Sequence, residues 1–299
     1  MKVLVTGASG FAGRHLIEHL RASGDEVVAS DRRDGGPDLL DGDAWSRLLD
    51  HHQPQQVYHL AAQASVQRSW QDGVATLRAN VEGTFNVLAA CREHGVARVL
   101  MVSSADVYGR VDPALLPLRE DTPLRPLSPY AASKAAAEQV ALQAFHGGGL
   151  EVIRVRPFNH LGPGQDDRFV AGALAARIVR AERGDGTVTV GNLDAVRDFT
   201  DVRDVVRAYR AVLQHGEPGA VYHVSSGRPV AVSTLAALLC AAAETPIRLV
   251  TDPALLRPAE VPTLVGDATA LHTLTGWEPT IDLADTLADL LADHRRQCR

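Results

Sequence analysis

A glycine-rich turn connects the first apolar run of the chain to its first amphipathic segment. The run Lys2–Thr6 is rich in β-branched residues, and the glycines that follow it have the spacing G-x-x-G-x-x-G. A tight turn between a strand and a helix points backbone N–H groups and the positive end of the helix dipole at one place, which suits a diphosphate. This feature predicts an α/β fold with a dinucleotide site, and a glycine-rich loop without a ligand is the alternative. The residues assigned to the turn are Gly7, Gly10, Phe11, Ala12 and Gly13.

Apolar runs alternate with helical patterns through the first half of the chain. Helices between successive strands imply right-handed crossovers, so we expect a doubly wound parallel sheet that is covered on both faces. One covering helix is expected to carry Leu77, Val81, Phe85 and Leu88 and to stop at Gly95, and an alanine-rich helix is expected over residues 128–145. The predicted strands after Lys2–Thr6 are Glu26–Ser30, Gln56–Leu60, Arg98–Ser103 and Leu150–Val155.

The pattern changes after Pro157, where loops lengthen and strand-like runs become scattered. We therefore expect residues 1–157 to form a dinucleotide-binding domain. Residues 158–299 are expected to form mainly a smaller, discontinuous C-terminal α/β lobe that binds the substrate, with part of 187–225 returning to the first domain. The scattered strands are Thr187–Val190, Val221–Val224 and Ile247–Val250.

The bulk composition excludes several classes of function. A formal net charge of −6 argues against a general binder of nucleic acid or of membrane surfaces. The three cysteines, Cys91, Cys240 and Cys298, are too widely spaced for a disulfide framework or a zinc site, and the twelve histidines form no H-E-x-x-H motif. We expect no metal. The start MKVLVTG lacks a basic leader and no apolar run reaches membrane-spanning length, so we expect a cytoplasmic protein.

Charged residues at the end of the second predicted strand bear on the choice of dinucleotide. Asp31 is placed where a carboxylate accepts hydrogen bonds from the adenosine ribose, which favours NAD. Arg32 and Arg33 follow directly, and guanidinium groups there would pair with the 2′-phosphate of NADP. Three solvated loop charges are a further interpretation. The sequence favours NAD and leaves NADP open.

Tyr130 and Lys134 lie four residues apart, so a helix places them on one face. An ammonium group beside a phenol is expected to lower the pKa of the phenol, which makes tyrosine an acid or base near neutral pH. Ser104, at the end of the fourth predicted strand, is placed to orient a substrate oxygen. A lone Y-x-x-x-K would usually be a surface pair. The order of glycine turn, strand-end serine and tyrosine helix predicts Ser104, Tyr130 and Lys134 as a catalytic group.

Together these segments resemble the extended short-chain dehydrogenase/reductase family, in its branch that acts on nucleotide sugars. The resemblance covers essentially the whole chain and implies a Rossmann fold for the first domain. The matching segments are VTGASGFAGRHL, DLLD, HLAAQASV, NVEGTFNVL, SSADVYG, SPYAASKAAAE, RPFNHLGPGQ, VGNLDAVRDFTDVRD and LRPAEVPTLVGD.

The resemblance also implies roles for individual residues. Asp38 and Leu39 would contact adenine. Tyr130 would exchange a proton with the sugar hydroxyl or ketone, while Lys134 would also hold the nicotinamide ribose. The other residues implied to line or support the cofactor groove are Leu60, Ala61, Ala62, Asn80 and Pro157.

The second half of the chain supplies candidates for substrate binding. Asn159 lies in a segment expected to reach into the cleft. Arg197 and Arg257 are candidates to neutralise the substrate diphosphate, although surface ion pairs with Asp198 and Glu260 are the alternative. The segments GPGQ, VGNLDAVRDF and LRPAEVPTLVGD look most like those of the GDP-mannose 4,6-dehydratases and GDP-4-keto-6-deoxymannose reductases. The full set of predicted substrate contacts is Ser104, Asp106, Asn159, Val170, Asn192, Arg197, Arg257 and Glu260.

The residues after Ser104 favour one reaction. The dehydratases that the chain resembles carry a glutamate where this sequence has Asp106, preceded by Ala105. Aspartate is one methylene shorter and alanine transfers no proton, so dehydration is doubtful. We expect NAD(P)H-dependent reduction of the C4 ketone of a GDP-linked 4-keto-6-deoxy sugar. A 4-epimerase that retains its NAD is the alternative, and a non-catalytic dinucleotide-binding regulator is less favoured. The resemblance further suggests a homodimer joined by the apolar helices around residues 77–88 and 135–144.

Overall fold

Short strands alternate with helices along most of the chain. The computed structural model describes residues 1–252, 254 and 261–298. Its strands are β1 (Lys2–Thr6), β2 (Glu26–Ser30), β3 (Gln56–His59), β4 (Arg98–Val102), β5 (Glu151–Pro157), β6 (Asn159–Leu161), β7 (Thr187–Val190), β8 (Val196–Asp201), β9 (Val221–Val224), β10 (Pro229–Ala231), β11 (Arg248–Thr251) and β12 (Thr263–Leu264). Its α-helices are α1 (Phe11–Ala22), α2 (Gly42–His52), α3 (Val66–Gln71), α4 (Gly73–Leu77), α5 (Gly83–Glu93), α6 (Pro129–His146), α7 (Val170–Ala181), α8 (Val202–His215), α9 (Val232–Ala241), α10 (Thr269–Thr275) and α11 (Leu283–Gln297).

The main sheet has six strands in the order β2-β1-β3-β4-β5-β9, and every pairing in it is parallel. The chain goes outward from β1 to β2 and then returns to the other side of β1 as β3. In such a sheet a crevice forms outside the carboxyl ends of the strands where the order reverses. The predicted doubly wound parallel sheet is therefore confirmed. Two predicted strands end one residue late, since Leu60 and Ser103 already lie beyond β3 and β4, and the strand predicted over Leu150–Val155 spans Glu151–Pro157.

Helices cover both faces of this sheet. On one face α1 and α8 pack together and bury Leu16, Leu20 and Tyr209. On the other, α2, α5 and α6 bury Trp45 and Leu88. Full burial of one such side chain contributes about 2 kcal/mol to the free energy of folding. These two helical layers therefore stabilise the sheet and the position of its strand ends.

A second unit of smaller sheets lies towards the C-terminus. β8 pairs with β10, β12 and β6, while β7 pairs with β11. The helices α7, α9 and α11 bury Leu174, Leu235 and Leu290 against one another. The predicted strands Thr187–Val190 and Val221–Val224 are confirmed, and the third is shifted by one residue to Arg248–Thr251. Val221–Val224 is the outer strand of the main sheet.

The helix predicted over residues 77–88 is interrupted. α4 continues into a π-helical segment, Arg78–Glu82, before α5 begins at Gly83. The prediction of one regular helix is wrong at this place, because the π turn inserts a residue without breaking the apolar spacing. Among the described helices, none combines the length and apolar character needed to span a bilayer.

Candidate active site

The glycine turn lies at the carboxyl end of β1, beside the reversal of strand order. Gly7 has φ of 71°, and a Cβ there would lie 2.8 Å from the backbone nitrogen of Ala61. A Cβ on Gly13 would collide with the carbonyl oxygen of Gly7. α1 begins at Phe11 after Gly10, which offers no side-chain cap. The first N–H groups of α1 are therefore free to bind an anion.

Asp31 lies opposite this turn. Its carboxylate accepts hydrogen bonds from the backbone nitrogens of Arg33, at 2.9 Å, and Ser9, at 3.3 Å. Arg32 forms an ion pair with Asp38 at 3.0 Å, with the arginine side chain 75% exposed. The Ser9 hydroxyl is buried and has no hydrogen-bond partner within the chain. An unpaired buried hydroxyl beside an open helix N-terminus and a carboxylate fits the pyrophosphate and ribose of a dinucleotide.

The remaining predicted cofactor residues lie in several parts of the first unit. Ala61, between Leu60 and Ala62, donates its backbone N–H to Thr6 Oγ1 at 3.1 Å, which fixes the loop after β3 against the glycine turn. Leu39 packs against Gly83 at the start of α5. Pro157 is buried at the end of β5.

Asn80 lies in the π-helical segment and is buried. Its side-chain oxygen accepts from the backbone nitrogen of Gln63 at 2.7 Å. Its amide nitrogen donates to Gln63 O at 3.0 Å and to Ser133 Oγ at 2.8 Å. The Asn80 side chain therefore ties the loop after β3 to the helix that carries Tyr130 and Lys134.

Ser104, Tyr130 and Lys134 come together at the carboxyl end of β4. α6 starts at Pro129, and the Ser128 side chain caps it by accepting from Ala131 N at 3.1 Å. This start places Tyr130 in the first turn, where its hydroxyl is hydrogen-bonded to the Ser104 side chain. One turn later, Lys134 Nζ donates to Val102 O at 2.8 Å.

The environment sets the protonation of this group. Burial raises the pKa of Tyr130, and the Asp106 carboxylate adds to that rise, while the hydrogen bond from Ser104 opposes it. Burial also lowers the pKa of Lys134 to about 8, against the charge of Glu138. The expectation that Lys134 lowers the pKa of Tyr130 is wrong for the chain by itself. For Tyr130, removal from water outweighs the effect of the hydrogen bond with Ser104.

Asp106 and Arg197 face this group from two sides. Asp106 N donates to Ser104 Oγ at 3.1 Å. Burial raises the pKa of the Asp106 carboxyl, and the Arg197 guanidinium opposes that rise. Arg197 Nη1 donates to Val196 O at 2.8 Å. The alternative ion pair of Arg197 with Asp198 does not form, because Asp198 is enclosed by the backbone nitrogens of Ser226, Gly227 and Gly266.

The other predicted substrate contacts are more exposed or lie elsewhere. Asn159 is exposed on β6, and Val170 is 40% exposed at the start of α7. The side chain of Asn192 accepts from Asp194 N at 2.8 Å. Arg257 and Glu260 lie outside the residues that the structure describes.

Sequence reasoning missed a buried ionic cluster under the catalytic group. Glu138 is fully buried on α6 and contacts Ser103, Arg154 and Arg156. The available signal was the spacing of Tyr130, Lys134 and Glu138 at intervals of four residues on one helix.

A parallel sheet with a diphosphate cradle at its strand-order reversal, next to a Ser–Tyr–Lys group, defines a dinucleotide-dependent oxidoreductase. Residues 3–225 match the sequence model of the NAD dependent epimerase/dehydratase family. The chain belongs to this family, the extended short-chain dehydrogenases/reductases.

Individual members of this family are similar to the chain along nearly its whole length. A GDP-6-deoxy-D-mannose reductase of Pseudomonas aeruginosa is 41% identical over 305 residues, which cover 100% of this chain and 98% of the relative. The solved structure of RMD from Pseudomonas aeruginosa complexed with NADPH matches with a TM-score of 0.91 and 39% identity, over 99% of each chain. A UDP-glucose 4-epimerase of Mycolicibacterium smegmatis is 32% identical over 96% of each chain.

Proposed function

We propose that the chain reduces the C4 ketone of a nucleotide-linked 4-keto-6-deoxy sugar, with GDP-4-keto-6-deoxymannose as the substrate to test first. The observation that carries the proposal is the Ser104–Tyr130 hydrogen bond with Lys134 one helical turn below it. The resemblance to a GDP-6-deoxy-D-mannose reductase along the full chain supports the choice of substrate.

Each catalytic residue has a defined task in this reaction. A reduced dinucleotide whose diphosphate is held at the glycine turn would supply the hydride that C4 accepts. When the ketone binds, Ser104 would turn its hydroxyl proton from Tyr130 to the ketone oxygen and polarise it. Tyr130 gives its proton to that oxygen as the C4 hydroxyl forms. The raised pKa of Tyr130 keeps the phenol protonated, as a proton donor requires.

Dehydration needs a further acid–base group after the serine. Ala105 is buried and transfers no proton. Asp106 is held by its backbone bond to Ser104, and its side chain is one methylene shorter than the glutamate of the dehydratases. We therefore favour reduction over 4,6-dehydration. A 4-epimerase is the second candidate, because Asp31 at the ribose position favours a retained NAD.

One assay separates these candidates. The purified chain is supplied with GDP-4-keto-6-deoxymannose and either NADH or NADPH, and nicotinamide absorbance is followed. Oxidation of one cofactor with formation of the 4-hydroxy sugar supports the reductase. No oxidation with either cofactor rejects it, and interconversion of C4 epimers of a UDP- or GDP-hexose without added cofactor supports the epimerase.

A matched variant tests the role of Tyr130. Tyr130→Phe removes only the hydroxyl, so we expect turnover to fall about a thousandfold while NAD(P)H still binds. Tyr222→Phe, which loses a hydroxyl hydrogen-bonded to Glu217 N outside the site, is the control. Full biological function of a Tyr130→Phe protein without turnover would favour a non-catalytic regulator.

The substrate is proposed to lie between the two units. Residues 1–157, with β9, would form the cofactor domain, and the remainder of 158–299 the nucleotide-sugar lobe. Arg197 would neutralise the substrate diphosphate beside Asp106. The other proposed substrate contacts are Asn159, Val170 and Asn192, together with Arg257 and Glu260 outside the described residues.

A homodimer is proposed through an apolar face on α3, α4 and α5. Trp70 is 59% exposed, Val74 72% and Phe85 53%, and exposed large apolar side chains on successive helices are typical of an interface. We expect Val74→Glu with Phe85→Glu to halve the mass in light scattering. Leu115→Glu, also at a 53% exposed residue, is the control. A monomeric wild-type chain would contradict the proposal.

Because Cys91, Cys240 and Cys298 are free thiols, we also propose a reducing, cytoplasmic setting.

A further inference from the structure

Glu138 is the centre of a buried charge cluster one helical turn below Lys134. Its carboxylate accepts from Arg156 Nη2 at 2.7 Å and Nε at 2.9 Å, and from Arg154 Nη1 at 3.2 Å. Ser103 Oγ donates to the same carboxylate at 2.5 Å. Two cations around one fully buried carboxylate are costly to desolvate, and a well-packed apolar cluster would be at least as stable. Stability alone therefore does not explain why the cluster is present.

The cluster reaches the catalytic group by two short routes. Ser103 directly precedes Ser104, so the Glu138–Ser103 bond fixes the strand end that presents the Ser104 hydroxyl. Glu138 and Lys134 share one face of α6, and Glu138 is the charge that favours the ammonium form of Lys134 against burial. His59 is neutral, because burial, together with the nearby charge of Lys134, lowers its pKa to about 3.

The cluster also extends away from α6 towards the C-terminal residues. Arg156 Nη1 donates to the Tyr108 hydroxyl at 2.6 Å, and that hydroxyl contacts His223 Nε2. His223 Nδ1 lies 3.1 Å from Asp267 O, a carbonyl that can only accept. In the neutral imidazole the proton therefore lies on Nδ1, and Nε2 accepts from the Tyr108 hydroxyl, which also lies 3.2 Å from Arg119 O. Burial and Arg156 lower the pKa of His223 to about 4, so this chain of bonds is fixed near neutral pH.

We propose that Glu138 is a positioning residue for hydride transfer: it holds Lys134 in its charged form and aligns Ser104 through Ser103. This role rests on the proposed reductase function for its kinetic consequence. The effect on the charge of Lys134 does not depend on which substrate is reduced.

The pKa of Lys134 can be measured directly, because Lys2 and Lys134 are the only two lysines in the 299 residues. Selective isotope labelling of lysine gives two signals, which Lys2→Arg assigns. The pKa of Lys134 can then be read by NMR in the intact chain. Lys2, paired with Glu26 at 3.2 Å on the surface, is the internal reference.

Glu138→Gln keeps the shape of the side chain and removes its charge. We expect the Lys134 titration midpoint to fall by about one pH unit while Lys2 is unchanged. If the chain reduces the keto sugar, the loss of kcat/KM with rising pH should begin about one unit lower as well. Glu182→Gln, which breaks the distant ion pair with Arg295, should move neither.

Two further variants keep the proposal testable. Ser103→Ala leaves the Glu138 charge in place, so it should lower kcat without moving the Lys134 midpoint. Arg154→Met removes a competing cation but leaves Arg156 on Glu138, so the midpoint should rise; this variant decides the matter if Glu138→Gln does not fold. A Lys134 midpoint unchanged in both charge variants overturns the proposal. A wild-type chain without turnover but with the expected NMR shifts would reject the reductase function only.

Discussion

At the scale of single residues, Asp31 is the predicted contact with the adenosine ribose, so it bears on the choice between NAD and NADP. The Asp31 carboxylate accepts hydrogen bonds from the backbone nitrogens of Ser9 and Arg33, while the Arg32 guanidinium forms an ion pair with Asp38. A 2′-phosphate at the ribose would therefore meet a fixed negative charge.

Asp31→Ser should raise the ratio of kcat/KM for NADPH to that for NADH by about tenfold, since one like-charge contact near a surface is removed. Steady-state kinetics with each cofactor, at a constant sugar concentration, measure the ratio. Asp34→Ser, on the same short turn and exposed, is the matched control. An unchanged ratio would mean that Asp31 does not contact the ribose.

Residue spacing along the chain was sufficient to bring Ser104, Tyr130 and Lys134 together, because each follows a strand end or lies on one helix. The sign of the Tyr130 pKa shift was not accessible in this way. It depends on burial by residues that are distant in sequence, and on Asp106 as a neighbour. The sequence also could not show that Arg197 and Asp198 form no ion pair. The two residues are adjacent, but the Asp198 carboxylate accepts hydrogen bonds from backbone N–H groups of a loop.

At the scale of elements, the π-helical segment Arg78–Glu82 is the feature that the apolar pattern could not reveal. Strands were predictable because β-branched runs alternate with turns. One inserted residue in a helix leaves that pattern intact, yet it turns Asn80 inward to Gln63 and Ser133. π turns are often found at functional sites, and this one supports the start of α6.

Asn80→Ala should lower the free energy of unfolding by about 2 kcal/mol, because it leaves the part-buried Gln63 N–H without its acceptor and the buried Ser133 Oγ without its donor. Urea denaturation measures the loss. Asn86→Ala, which removes one amide bond to Leu39 O from the following helix, should cost less than half as much. Equal losses in the two variants would assign no special role to the π segment.

At the scale of the whole molecule, the ionic cluster joins segments that are far apart in sequence. Ser103, Glu138 and Arg156 come from different strands and helices, and His223 comes from the outer strand of the main sheet. The helical spacing places Glu138 below Lys134, but no local pattern encodes the partners of Glu138, because they come from distant segments. The cluster becomes visible only when the parallel order of β4, β5 and β9 is known.

The same buried architecture fixes how the molecule responds to acid. His59 and His223 are neutral in the folded chain, since burial lowers their pKa values to about 3 and about 4. In the unfolded chain each takes up a proton below its ordinary value of 6.5. The unfolded state therefore binds more protons between about pH 6.5 and pH 4, and stability falls as the pH is lowered through that window.

The loss should amount to a few kcal/mol by about pH 4.5, measured as the change in urea unfolding free energy from neutral pH. His59→Gln cannot take up a proton in either state, so its stability should decline less steeply over the same window, although its value near neutral pH is lower because the bonds to Thr6 and Thr84 change. His51→Gln, at an exposed helix position, should keep the wild-type slope. If His59→Gln and wild type lose stability at the same rate, then the protonation of His59 is not what limits the acid resistance of the fold.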